Sequence, residues 1–130
     1  MAIILTSFGI VESLGNFYSA TGESMLPTIT PNSVVYVESL SKHFVRYKKG
    51  DIVIVKSLND LHTTICKRIL YTEGDEFTLK NGRTVKLSKG QLWIEGDNKD
   101  NSFDSRNFGP VSDYLVLGKV KFSLFPLRKY

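Results

Sequence analysis

Cysteine occurs once in this chain, as Cys66, so no internal disulfide can staple the fold. Histidine is nearly as scarce. His43 and His62 lie far apart, neither has metal-ligand spacing around it, and nothing in the sequence asks for a metal or a cofactor. A long apolar run is also missing. Met1–Val11 is mostly apolar and uncharged up to Glu12, but a helix that crosses a bilayer needs about 20 such residues. The segment has no basic leading region of the kind found in a cleavable signal. Three readings of it stand: a shortened membrane anchor, an interfacial segment, or a strand buried in the domain. The net charge of +4 is spread over short groups such as Arg46–Lys49 and Lys86–Lys89. A nucleic-acid stripe is therefore absent, while a weak attraction to anionic membrane surfaces stays open.

What is present suits one folded domain: 130 residues, 42% hydrophobic and 23% charged. No linker, repeat or low-complexity stretch divides it, and no amphipathic helix of several turns follows residue 20. Short β-branched and aromatic runs dominate instead: Val34–Val37, Ile52–Val55, Thr63–Tyr71, Leu92–Glu95 and Tyr114–Phe125. Glu76–Leu79 and Thr84–Leu87 flank Asn81-Gly82, which predicts a hairpin closed by a tight type I′ turn. The fold class expected is mainly β, a compact barrel-like or folded-sheet domain.

Three segments carry candidate chemistry. Ser24 lies in the loop Gly22–Thr28, between an apolar segment and a strand. Leu26 rules out the Gly-x-Ser-x-Gly elbow, and a serine close to Pro27 also reads as a plain turn. Lys67 lies in the strand Ile65–Leu70, where alternation puts Ile65, Lys67 and Ile69 on one face. A lysine set between isoleucines either snorkels or loses water, and desolvation lowers its pKa toward that of a usable base. Together the two suggest a serine activated by lysine in place of histidine. The third segment is the polar loop Gly96–Val111. An EF-hand reading of it fails, because Lys99 takes a ligand position and no glycine follows Asn101.

In this order, Ser24-Met25-x-Pro27-Thr28, the Gly50-Asp51 strand, Lys67-Arg68 and the Gly96-Asp97-Asn98 to Arg106 loop resemble the ordered boxes of the type I signal peptidases. Gly22–Thr28, Ile65–Arg68 and the Phe122–Leu127 tail are most similar to the mitochondrial inner membrane protease branch of that family. The resemblance runs from about Glu12 to the end of the chain. It implies a signal-peptidase-like β-domain over residues 19–130, preceded by an apolar segment, residues 1–18, as a shortened anchor. It implies that Ser24 attacks the scissile carbonyl and Lys67 takes its proton. Ser102 is then the hydroxyl that orients the lysine amine, Asp104 and Arg106 are a supporting charged pair, and Gly96, Asp97 and Asn98 belong to the supporting loop. No cofactor is implied. The partners implied are presequence-bearing precursors and a second protease subunit, at the mitochondrial inner membrane facing the intermembrane space.

Gly22 departs from many bacterial relatives, which have a serine there whose hydroxyl helps bind the oxyanion. More of that task then falls to the Ser24 N–H. The alternatives are a self-cleaving repressor or a silent partner subunit of the same fold. Neither Ala2 nor Ala20 precedes glycine, so the Ala-Gly bond that such repressors cut is absent, and intact Ser24 and Lys67 argue against a silent subunit. Ser39-Leu40-Ser41-Lys42 fits the Ser-x-x-Lys of penicillin-binding proteins, but its companion motifs are missing.

Overall fold

The computed structural model describes residues 10–11, 16–39, 46–60, 62–124 and 127–130. Residues 1–9, His43 and the Ser41-Lys42 pair lie outside the described residues. Among the described residues eleven strands follow in chain order: β1 (Ile10–Val11), β2 (Asn16–Ser19), β3 (Val34–Glu38), β4 (Ile52–Lys56), β5 (Thr64–Tyr71), β6 (Glu76–Thr78), β7 (Thr84–Lys86), β8 (Gln91–Glu95), β9 (Val111–Ser112), β10 (Val116–Leu124) and β11 (Arg128–Lys129). One antiparallel sheet takes the order β1-β2-β3-β10-β4-β5-β8-β9, with β11 on β10, while β6 and β7 pair separately. Among the described residues no helix is long and apolar enough to cross a membrane.

The run Ile52-Val53-Ile54-Val55 is apolar at every position because β4 is buried on both faces. Ile52 and Ile54 join Tyr18, Met25, Ile29, Val35, Val37 and Val120 in one cluster. Val53 and Val55 join Ile69, Leu92, Ile94, Val111 and Val116 in a second. Each of these side chains contributes about 1.5–3 kcal/mol by leaving water, so β4 is the seam between two cores. A third cluster, Val85, Leu87 and Trp93, lies under the β6–β7 hairpin. There Tyr71 stacks on Phe77 at 3.9 Å, and Phe77 meets the edge of Trp93 at 4.9 Å.

The hairpin forms, but its turn differs from the type I′ expectation. Only Gly82 has positive φ, at 87°, and Asn81 does not. Leu79 N–H donates to Arg83 O at 2.8 Å and Gly82 N–H to Leu79 O at 2.9 Å, so the loop is one residue longer than a type I′ turn. Asn81 is used for its side chain, which accepts from Arg83 N–H at 2.9 Å.

Where β10 crosses between β3 and β4 its pairing register shifts, beside Gly118. A Cβ on Gly118 would lie 2.6 Å from Val37 Cγ1 and 2.7 Å from Glu38 O. The backbone oxygen cannot move without breaking the sheet, so Gly118→Ala is expected to cost about 1–3 kcal/mol. Urea unfolding of the variant checks this; an unchanged midpoint would show that the strands separate without cost.

Candidate active site

The loop that carries Ser24 continues the β2–β3 pair. Ala20 N–H donates to Ser33 O at 2.8 Å, and Asn32 N–H returns to Ala20 O at 2.8 Å. Between these rungs Gly22 takes φ 74°, a left-handed conformation that a side chain would strain. Met25 and Ile29, 4% and 3% exposed, plug into the first core cluster. Ser24 is thus held at the rim of the core by the residue next to it.

Lys67 stands opposite Val53 in the β4–β5 ladder, on the face that also buries Ile69 and half-buries Ile65. It is only 5% exposed. Burial lowers its pKa from the ordinary lysine value, and the negative charge of Asp104 works in the opposite direction. Ser24 and Lys67 line one cleft whose walls are largely apolar: Tyr18, Met25, Ile29, Val35, Ile54 and Cys66. Among the described residues no hydrogen bond reaches the Ser24 hydroxyl or the Lys67 amine. Cys66 lines the same cleft, but burial pushes its thiol up to about 12, so it stays protonated at neutral pH.

The loop from Gly96 to Arg106 packs against both. Asn98 N–H donates to Ser24 O at 2.8 Å, and its side-chain amide to Glu23 O at 3.0 Å. Gly96 has room for nothing larger: a Cβ there would lie 2.2 Å from Ser102 Oγ and 2.5 Å from Ser24 O. Asp97 accepts two parallel bonds from Arg68, both 2.9 Å, and a short one from the Thr28 hydroxyl. Arg68 also donates to Gly50 O at 2.7 Å, which ties the Gly50-Asp51 corner to the same clamp.

Asp104 is completely buried. It accepts from Arg106 Nε at 2.9 Å, the second guanidinium arm at 3.0 Å, Ser102 Oγ at 2.7 Å and Gly96 N–H at 2.9 Å. Burial alone raises a carboxyl pKa, but these bonds outweigh it and hold Asp104 below the ordinary carboxylate range. Asp97 is lowered by the same balance, through Arg68 and Thr28. Ser102 spends its proton on Asp104, which leaves its lone pairs able to accept from an amine.

All eight residues singled out in the sequence therefore meet in one region. Ser24 and Lys67 share the cleft, while Gly96, Asp97, Asn98, Ser102, Asp104 and Arg106 lie in the loop that hydrogen-bonds to Ser24 O. Sequence reasoning missed Thr28 and Arg68 as the partners of Asp97. It also missed Glu95, which is 9% exposed and accepts from Trp93 Nε1 and Lys99 Nζ, both at 2.8 Å. Thr28 and Asp97 are 69 residues apart, and no local pattern links them.

Two comparisons bear on this arrangement. The family described as "Signal peptidase, peptidase S26" matches residues 1–86 and 78–125. The chain is 39% identical over 124 residues to mitochondrial inner membrane protease subunit 1 of Mus musculus, covering 92% of this chain and 75% of that protein. The Homo sapiens protein of the same name gives the same identity and coverage. Mitochondrial inner membrane protease subunit 2 of Danio rerio is 36% identical over 129 residues, covering 93% of this chain and 70% of that protein.

The depressed pKa values of Asp104 and Asp97 set an acid window. The unfolded chain binds protons near ~3.9, the folded chain only at lower pH, so stability is complete above that range and falls as the solution is acidified through it. Asp104→Asn is expected to flatten this fall. It should also cost about 3 kcal/mol at neutral pH, because Arg106 loses its nearer charged partner. Thermal unfolding followed from pH 7 to pH 2 measures both effects.

Proposed function

Since the chain belongs to the signal peptidase family, peptidase S26, we propose that it is a serine endopeptidase working through a Ser24–Lys67 dyad. The observation that carries this reading is a lysine buried in the cleft that Ser24 lines, with its pKa lowered by that burial. Neutral Lys67 accepts the Ser24 proton as Oγ attacks the scissile carbonyl, then returns it to the departing amine. A water molecule hydrolyses the acyl-enzyme, with Lys67 again as base. The developing oxyanion is met by the Ser24 N–H, because Gly22 offers no hydroxyl. In this reading Ser102, which donates to Asp104, is the hydroxyl that orients the lysine amine, and Arg106 neutralises the Asp104 charge. The largely apolar cleft favours uncharged side chains beside the cut.

The relatives' names extend the proposal to a setting. The chain acts at the mitochondrial inner membrane on the side facing the intermembrane space, and removes sorting peptides from presequence-bearing precursors. Some relatives are named as subunit 1 and others as subunit 2, which supports a hetero-oligomer with a second protease subunit. The substrate lies extended across Ser24, pairing its backbone with a sheet edge.

Purified protein, alone and with a candidate second subunit, is to be incubated with presequence peptides and the cuts mapped by mass spectrometry. Ser24→Ala should remove cleavage by roughly ten-thousandfold or more while the fold persists. Lys67→Arg should be equally inactive, because a guanidinium stays protonated at any usable pH. Wild-type kcat/KM should rise with pH through a midpoint below ~10.4. An active Lys67→Arg enzyme, or a rate flat from mildly acidic to strongly alkaline pH while chemistry is rate-limiting, would give the proton to another group.

A further inference from the structure

Two large apolar side chains stand in water close to the candidate site: Leu58, 52% exposed, and Phe103, 61% exposed. Their placement follows from the backbone. Ser102 and Asp104 both have extended dihedrals, and their side chains meet at 2.7 Å. Side chains alternate along an extended segment, so Phe103 between them is driven to the opposite side, away from the support network. There it meets Phe108, with ring centres 5.6 Å apart. Leu58 arrives from the β4–β5 connection. Together with Lys56, Ser57, Asn59, Ile65 and Val111 these residues enclose a second groove.

Ile65 lines both this groove and the cleft that holds Ser24 and Lys67. The two spaces share a wall, so a polypeptide lying extended across Ser24 continues over Ile65 into the second. The floor includes Val111, only 2% exposed, while Leu58 and Phe103 rise at the rim. A concave site with raised apolar walls fits one inserted side chain better than the flat boundary of a bilayer.

From this continuity we propose that the groove of Leu58, Ile65, Phe103, Phe108 and Val111 binds an apolar side chain of the polypeptide being cut. It thereby sets selectivity at one position beyond those that the Ser24 cleft contacts. The inference rests on the peptidase reading and adds to it a specificity-determining subsite.

The test uses the 130-residue chain and a set of peptides that carry leucine or serine at one position at a time along a cleavable sequence. Wild type should show one position, outside those flanking the cut, where leucine is favoured about tenfold in kcat/KM. Phe103→Ser and, separately, Leu58→Ser should reduce that ratio to about twofold, with leucine/serine ratios elsewhere unchanged. Both side chains are more than half exposed, and circular dichroism checks that each variant folds. Variants that keep the full ratio overturn the proposal. So do variants that keep it yet lose binding to anionic phospholipid vesicles, which makes the patch a bilayer contact. A wild-type chain that cuts no peptide overturns the peptidase reading itself, a result distinct from either.

Discussion

A charged lysine taken out of water costs several kcal/mol unless something answers its charge, and the arrangement around Lys67 turns on that constraint. The β4–β5 register puts it opposite Val53 and between Ile65 and Ile69, where water is largely excluded. Protonated Lys67 is penalised in the fold relative to the unfolded chain. The penalty operates at every pH below its folded pKa and is relieved as pH rises from there toward the ordinary lysine value. Asp104 is the counterweight: its charge partly restores the lysine's proton affinity. A deeper or unpaired lysine would be a stronger burden on the fold, and a solvated one would be no base.

Asp104 can serve this way only because it is itself held ionised. It is completely buried, yet bonds from Arg106, Ser102 and Gly96 keep it charged. Arg106 in turn lies 3.7 Å from Glu95, so the charge network is tied to β8. A second clamp, Arg68–Asp97–Thr28, fixes the loop that carries Ser24 to the strand that carries Lys67. Lys67 and Arg68 are neighbours on opposite faces of β5. One strand thus supplies a buried lysine to the cleft and a brace for the serine loop. The brace extends to the last residue, since the Tyr130 hydroxyl donates to Thr28 O at 3.0 Å.

Much of this was legible in the residues, for identifiable reasons. β4 and β5 announce themselves because strand alternation and β-branching are local properties, and the same alternation placed Lys67 with Ile65 and Ile69. The order of the boxes carried the rest of the site, since no single box is specific. What escaped was tertiary. A two-residue strand such as Val111–Ser112 has no pattern of its own, and it exists because β8 offers an edge. The Thr28–Asp97 bond joins a turn to a loop 69 residues further along the chain. Asn81-Gly82 marked the hairpin correctly but not its turn type, because the asparagine side chain bonds Arg83 instead of accepting positive φ.

The structure makes Lys67 a desolvated lysine whose pKa lies below that of a solvated one. The most direct measurement of that pKa is an NMR titration of the lysine side-chain carbon next to the amine, in labelled Ser24→Ala protein, with the Lys67 signal identified by its loss in Lys67→Met. The account predicts one lysine with a midpoint below ~10.4, distinct from the solvated lysines, and a further downward shift when Asp104 is replaced by asparagine. A Lys67 signal that titrates together with the surface lysines would contradict it.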